Sequence, residues 1–545
     1  RRKPSPIFLA MGNAAGPVGA LRPCGADGCF AFAEPRRRIS VVRAVPKEAL
    51  PGPYEELRAK LQGRLHLPGD FAYDAARGLP DSPGLKEGYR ETWNHDAIGC
   101  PLAVASVHSV EEAQEVVRYA EQFCLPERVY LCVAGGRLSH QCMLDSTLVL
   151  DLADLRRVDV DAEARQVRVE GGVLQGQLDS ACAPHGLAVT TGHCPRNGIG
   201  GLTLQGGHGY LERTFGLLID NLLSCEVILA GGKLVVASEA ENPDLFWALQ
   251  GGGSNFGVVV SFTFRLHAIP PRLHAGTRVH LPLGKLGLPG REELIAGFCK
   301  TFQEGPSEAT GLLVLPCGGP VLERLVWVGA PAAGKEFFHK HRQGHPVLDG
   351  LRSQAYHGGV QSLSAQSPSG SFYPSGLLMP DLPPEAISAI AEMVAKGKGP
   401  NSDSQLWIMP LGGEMSRRPS EAAANPHRSA QFWILIMAGW RISGDERRDR
   451  AERERVVNWV RQVKEALLPF TLGHYFSGTS SGDGDGGDHR WAVSPPGRPY
   501  PIEGGAVGCY VGFRNIYGEN LPRLQAVKVK YDPSNLFRLN DNIAP

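Results

Sequence analysis

The chain carries no net charge: 56 Lys and Arg balance 56 Asp and Glu in 545 residues. Without a basic excess there is no electrostatic footprint for nucleic acid or for an anionic membrane surface. No apolar stretch approaches the roughly 20 residues that a membrane span needs, and no secretory hydrophobic region is apparent. The 12 cysteines are scattered and no zinc-type spacing recurs, with Cys24-x4-Cys29 standing alone. Such scatter reads as mostly buried free thiols, with one or two disulfides left open for an exported protein. A Rossmann fingerprint is also missing, since no G-x-G-x-x-G follows a strand with an acid downstream. The run Ser480-Ser-Gly-Asp-Gly-Asp-Gly-Gly-Asp488 lacks the pattern and closing Glu of a calcium loop, so it reads as a flexible acidic surface loop. What remains is a soluble globular chain, long enough for two or more domains with sizeable cores.

Residues 1–52 are rich in Arg, Ala, Pro and Gly and include Arg36-Arg37-Arg38. They read as an N-terminal extension, either flexible or the remainder of a transit peptide, and they assign no compartment. Globular patterning begins near Pro53. Ser109 to Glu112 forms a capping box ahead of a helix with Val110, Ala113, Val116, Val117 and Ala120 at helical spacing. Residues 129–133, 147–152 and 166–170 read as strands and 174–182 as a helix. Residues 221–238 read as two strands joined at Gly231-Gly232. A short helix over 244–249 and a β-rich run over 256–266 follow. Ile269-Pro270-Pro271 then breaks the pattern. Beyond it, 406–411 and 431–442 read as strands, and 445–468 as a helix with Val456, Val460, Val463 and Leu467 in one stripe. The expected boundaries are 53–270 for a first domain, 271–520 for a second, and 521–545 for a return to the first.

The strongest feature is a glycine-heavy run from Thr190 to Gly216. It holds seven glycines (Gly192, Gly198, Gly200, Gly201, Gly206, Gly207, Gly209) within eighteen residues. Lacking a Cβ, glycine lets the main chain approach a flat or phosphorylated ligand. A second run, D-L-F-W-A-L-Q-G-G-G-S-N-F-G-V-V-V, spans Asp244 to Val260. Val133-Ala-Gly-Gly-Arg137, Leu148 to Leu152, Asp220-Asn221, Pro426-His427-Arg428, Trp440 and the terminal segment Tyr531 to Pro545 accompany them in a fixed order. Together these segments resemble the berberine bridge enzyme-like oxidoreductases of the vanillyl-alcohol oxidase/p-cresol methylhydroxylase superfamily. The likeness runs from about Leu57 to the end.

The resemblance implies an α+β fold: a two-part p-cresol methylhydroxylase-type FAD-binding domain plus a substrate domain with an antiparallel sheet backed by helices. It implies FAD held by main-chain amides of two loops. One loop carries Gly135, Gly136, Arg137, Leu138 and Ser139. The other carries Gly198, Gly200, Gly201, Gly206 and Gly209. Val259 is expected near the adenine, and Asn542 joins the cofactor set from the C-terminal segment. Cys194, in a Gly-His-Cys-Pro frame, matches the family's thioether to flavin C6. The family's second link uses a His where this chain has Arg137, which cannot form it. A guanidinium there suits bidentate pairing with the FAD pyrophosphate, while His140 could take over the link only in a rearranged loop. Asn197 stands where the family usually carries Val, a bulkier aliphatic residue or Thr near the path of oxygen, leaving oxidase and dehydrogenase both open.

The family's base is the second Tyr of Tyr-x-Asn-Tyr. Tyr475 and Tyr510 compete for the first position, and Gly478 or Phe513 fills the second. Tyr475, Tyr510, His427 and Glu414 therefore stand as candidates for the base. The implied activity is hydride abstraction from a small organic substrate (alcohol, sugar or secondary metabolite), with electrons passed to oxygen or another acceptor. The alternatives are a flavin-binding protein with little or no activity, and a ligand-binding module without flavin.

Overall fold

The computed structural model describes residues 21–24, 29–32, 49–80, 82, 90–285, 288–363, 370–474 and 516–545. Tyr475, Tyr510 and the Ser480–Asp488 run lie outside them. Residues Arg1–Val41 form one unit, whose described part is an antiparallel hairpin of Leu21–Cys24 with Cys29–Phe32. Three larger sheets organise the other unit, Val42–Pro545.

The first sheet has the order Leu65–His66, Ala103–Ser106, Leu148–Asp151, Leu131–Ala134. Its last three strands are parallel, and Ala134 stands opposite Asp151. The central strands, apolar except for Ser106 and Asp151 at their ends, are buried throughout, as a parallel sheet with covered faces requires. The Val110–Tyr119 helix buries Ala113, Val116, Val117 and Tyr119 against this sheet. Its start is the expected cap: Ser109 Oγ accepts from the Glu112 amide at 3.3 Å. The Glu112 carboxylate, however, reaches one residue further back, accepting from the His108 amide at 2.8 Å.

The second sheet is antiparallel, in the order Leu234–Ser238, Leu222–Ile228, Val258–Arg265, Gln166–Glu170, Val158–Asp161. Gly231 and Gly232, at φ +77° and +75°, make the left-handed turn of its hairpin. Helices Gln175–Cys182, Pro243–Leu249 and Leu521–Tyr531 pack on it. Ile228, Val258 and Val260 also enter the core of the first sheet, so one core joins the two.

The third sheet has nine antiparallel strands. The path is Leu348–Asp349, Leu273–His280, Val321–Trp327, Ala309–Pro316, Gln405–Pro410, Phe432–Trp440, Ser371–Met379, Gly473–His474, with Arg352–Gln354 also paired to Leu273–His280. Side chains alternate across it with period two. Leu313, Leu315, Ile408, Ile434 and Ile436 meet the helices Arg291–Gln303, Pro384–Met393 and Glu446–Leu467. The last of these buries the stripe of Val456, Val460, Val463 and Leu467. Leu312, Val314, Trp407, Met409, Trp433 and Met437 take the opposite face, where they pack with Tyr210, Leu211, Leu217 and Ile219 from the end of the glycine run. Buried Arg213 fastens that contact, donating to the carbonyls of Ala309 and Phe302 at 2.9 Å each and to Leu411.

The C-terminal segment is locked by buried Lys528. Its Nζ donates to the Asn255 carbonyl at 2.6 Å, to Asp532 at 2.6 Å and to the Phe537 carbonyl at 3.0 Å. Beside this clamp, burial pushes the Asp541 carboxyl up to about 7. The unfolded chain releases that proton near the ordinary value. Asp541 therefore costs stability progressively as pH rises from about 4 to about 7. Asp541→Asn is expected to match the parent near pH 4 and to exceed it by a few kcal/mol, in order of magnitude, near pH 7. Thermal denaturation across that range checks this, and a gap independent of pH contradicts it. The nine cysteines from Cys100 to Cys317 are free thiols, and seven of them are buried. No described helix is long and apolar enough to cross a membrane.

Candidate active site

The two glycine loops meet main chain to main chain. A Cβ on Gly136 would lie 2.3 Å from the Gly198 nitrogen and 2.4 Å from its Cα, and a Cβ on Gly198 would lie 2.5 Å from the Gly136 nitrogen. Gly135 and Gly200 both face the Gly171 carbonyl, at 3.1 and 3.0 Å from where their Cβ atoms would stand. Gly171 in turn lies against the Val259 carbonyl, at 2.7 Å from its own Cβ position. Four separate segments thus converge with no side chain between them. Gly209 has no room for a Cβ at all, which would fall 1.5 Å from the Thr191 carbonyl oxygen. Gly201 is exposed with open space around it, and Gly206 accepts from the Ile219 amide at 3.2 Å.

Arg137 departs from the expectation of a pyrophosphate ligand. Its guanidinium is fully buried, donating to Asp151 at 2.6 Å and to the Arg90 carbonyl. The parallel register that sets Ala134 opposite Asp151 brings the two together. The Arg90 guanidinium completes the lacing, donating to the Gly135 carbonyl at 2.6 Å and the Gly172 carbonyl at 3.1 Å. Arg137 is thus committed to holding the loop. Ser139 Oγ accepts from the Gln141 amide at 3.1 Å, Leu138 is half-buried, and burial lowers the His140 imidazole to about 4.

Cys194 is partly exposed on the second loop, its thiol raised by burial and its carbonyl accepting from the Asn197 amide at 3.0 Å. The Asn197 Nδ2 atom lies 2.6 Å from where a Gly192 Cβ would stand. Gln175 donates to the Gly192 carbonyl at 2.7 Å. Asp179, buried and raised well above the usual carboxylate range by burial, accepts from Gln361 of the third sheet's connections. One residue before Cys194, His193 meets Tyr210 edge-on with ring centroids 4.6 Å apart. Burial, with His208 and Arg324 adding, pushes His193 down to about 3. His208 Nδ1 lies 2.7 Å from Glu212 Oε2, both side chains buried, and its ring packs on Trp433 at 5.6 Å. Arg324, on the Val321–Trp327 strand, is hydrogen-bonded to Tyr210. His208, Tyr210, Glu212 and Arg324 form a site that sequence reasoning passed over. The H-x3-E spacing just after the glycines was its one local signal.

The other candidates fall elsewhere. His427 Nε2 donates to the Ile516 carbonyl at 3.1 Å, and the neighbouring Arg428 pairs with buried Asp220 at 2.8 Å, so this pair secures the chain leading to the C-terminal clamp. Glu414 pairs with Arg417 at 2.6 Å on the surface. Asn542 is half-buried beside the clamp.

Residues 101–238 match the FAD binding domain model, and residues 513–544 match the berberine and berberine-like model. The chain is 32% identical over 507 residues to (R)-6-hydroxynicotine oxidase of Paenarthrobacter nicotinovorans, covering 90% of this chain and 99% of that one. The chain belongs to the berberine bridge enzyme-like FAD-linked oxidoreductases. It is also 27% identical over 476 residues to xylooligosaccharide oxidase of Thermothelomyces thermophilus, covering 82% and 88% of the two chains. Its fold is similar to that of Physcomitrella patens BBE-like 1, with a TM-score of 0.72, 19% identity and coverage of 91% and 99%. As a member of this family the protein is an FAD-dependent oxidoreductase acting on a small organic molecule. The residues present fit that cofactor. Among the described residues, none of the amides from Gly135 to Ser139 donates a hydrogen bond within the protein. Such a row of unengaged donors suits a diphosphate.

Proposed function

We propose that the loops at 135–139 and 198–209 hold the FAD diphosphate, and that Cys194 is bonded to the flavin ring. Residues 53–270 and 521–545 then form the FAD-binding domain and 271–520 the substrate domain. The observation that carries this reading is the direct main-chain contact of Gly136 with Gly198. Gly135, Gly136, Leu138, Ser139, Gly198, Gly200, Gly201, Gly206 and Gly209 would line the cofactor, with Val259 and Asn542 at its flanks. Arg137 acts through Asp151, fixing the loop. When bound, FAD accepts a hydride from a carbon next to oxygen or nitrogen. Relatives named as oxidases of sugars and of 6-hydroxynicotine support an alcohol, sugar or amine as substrate and oxygen as electron acceptor.

Purified protein is expected to be yellow, with its colour staying on the chain after acid precipitation. Cys194→Ala should shift all of it to the supernatant. Wild-type colour in the supernatant sinks the covalent link alone. Protein that stays colourless after added FAD sinks the cradle. The replacement of the linking His by Arg137 favours a second reading, a flavoprotein with little or no activity. Flavin that no alcohol, sugar or amine bleaches under nitrogen would select it.

A further inference from the structure

Hydride transfer needs the reacting atoms within about 3–3.5 Å of each other and correctly aligned. The apolar contact between the glycine run and the third sheet is non-directional, so it does not set that alignment by itself. Directional bonds must do so. Arg213 supplies some of them, and the segment 90–96 supplies others. We propose that Asn94 is a positioning residue of the reaction: its carboxamide grips the edge of the third sheet, and the 90–96 segment ties that edge to the loop holding the FAD diphosphate. This rests on the FAD reading above and names how the two halves of that site are aligned.

The grip continues a strand ladder. Among the described residues, Gly473–His474 covers the outer edge of the Ser371–Met379 strand at Leu377 and Leu378. At the start of that strand the segment 93–95 takes the same edge. Gly370 donates its amide to the Trp93 carbonyl at 3.1 Å and accepts from the His95 amide at 2.8 Å, as in a parallel strand pair. Two residues on, the outward main-chain groups belong to Phe372, and there the Asn94 side chain replaces a strand. Its Oδ1 accepts from the Phe372 amide at 3.1 Å, and its Nδ2 donates to the Phe372 carbonyl at 3.0 Å. A carboxamide offers an acceptor and a donor side by side, as a peptide group does. Oδ1 also accepts from the Asp96 amide at 3.2 Å, which settles which atom is oxygen. Asn94 is 3% exposed. On either side of it, Trp93 stacks on Phe372 with ring centroids 4.6 Å apart, and Asp96 pairs at 3.2 Å with Arg453 of the Glu446–Leu467 helix.

The same segment is bonded to the diphosphate loop. The Trp93 amide donates to the Arg137 carbonyl at 3.0 Å. Arg137 donates back to the Arg90 carbonyl, and Arg90 donates to the carbonyls of Gly135 and Gly172. A shift of the sheet edge therefore reaches residues 135–137, and a shift of the loop reaches Phe372, since coupling between two sites is reciprocal. Asn94 touches no reacting atom. Its loss strands the Phe372 amide and carbonyl, groups that are costly to bury unpaired. The sheet then settles differently against the flavin, and a misplacement of about 1 Å costs on the order of 10²-fold in rate.

The test uses the full flavin-loaded chain with Asn94→Ala and Asn94→Asp variants. Their visible spectra come first, because a yellow variant has kept its cradle. Hydrogen exchange is then followed by mass spectrometry on peptides covering 370–373 and 135–139. Asn94→Ala should exchange about tenfold faster at both places. A merely local support would loosen 370–373 and leave 135–139 at the wild-type rate. Asn94→Asp should behave like the alanine variant near pH 8, where a carboxylate faces the Phe372 carbonyl. It should regain wild-type protection near pH 5, where burial keeps its carboxyl protonated and able to donate. Wild type at each pH is the control for intrinsic exchange and for the neighbouring Glu91, His95, Asp96 and Arg453. With 6-hydroxynicotine and xylobiose as probes, the limiting rate of anaerobic bleaching should fall by about 10–10²-fold in Asn94→Ala, with half-saturation changed less. Where neither probe bleaches the wild type, exchange decides. If Asn94→Ala does not fold, the pH-dependent recovery of Asn94→Asp carries the test. A yellow Asn94→Ala protein with wild-type exchange at 135–139 overturns the proposal, as does an Asn94→Asp protein that recovers nothing at pH 5. A colourless wild type overturns the FAD reading instead.

Discussion

Gly136→Val is expected to yield a folded protein without flavin. The new Cβ would stand 2.3 Å from the Gly198 nitrogen, closer than any non-bonded contact allows, and both neighbours are main chain. Gly198 cannot retreat. It is bridged to Leu174, its neighbour Ile199 donates to the Val173 carbonyl at 2.9 Å, and the Asn197 carbonyl accepts from the Gln175 amide at 2.8 Å. Overpacking of this kind costs about 1–3 kcal/mol or more, within a typical net stability of about 5–15 kcal/mol. The loops should therefore part while the three sheets persist. The check is the ratio of flavin to protein absorbance beside a thermal melt. A yellow Gly136→Val protein would mean that the diphosphate is held elsewhere.

Arg137→Met should have the largest effect on stability. It leaves the Asp151 carboxylate buried, with side-chain exposure of 4%, and without its ion-pair partner. Breaking such a pair from one side costs about 3–5 kcal/mol. The Arg90 carbonyl loses its donor as well, and Arg90 in turn holds the Gly135 and Gly172 carbonyls. Flavin content should fall with stability. The double variant Arg137→Met/Asp151→Leu should recover most of the loss, because replacing both partners by apolar groups removes the stranded charge. Urea midpoints for the single and double variants measure this. If Arg137→Met leaves the midpoint unmoved, the guanidinium contributes nothing to the loop and is open to another role.

What could be read in advance was local. Ser109 and Glu112 announced a helix start, the alternation at Val167 and Val169 announced a strand, and Ile269-Pro270-Pro271 fell between the second sheet and the Leu273–His280 strand of the third. The glycine runs announced close main-chain contact, although Gly200 and Gly201 turn out to lie in a short helix, Ile199–Leu204. The Arg137 partner is not legible in the sequence, because a parallel register between strands sets it and no local pattern encodes which residue lies opposite Ala134. His208 was overlooked for a related reason. Its spacing to Glu212 is local, but its meaning comes from Trp433, more than two hundred residues later, and from a sheet face assembled from several distant strands.

FAD binding in this protein depends on a diphosphate cradle made by the main chain of two glycine-bearing segments. The most direct test is the visible spectrum and intact mass of the purified full-length protein, before and after denaturation. The expected result is flavin absorption bands and a chain heavier by one FAD that denaturation does not remove. A protein with no flavin bands and the mass of the bare polypeptide, even after incubation with FAD, contradicts it.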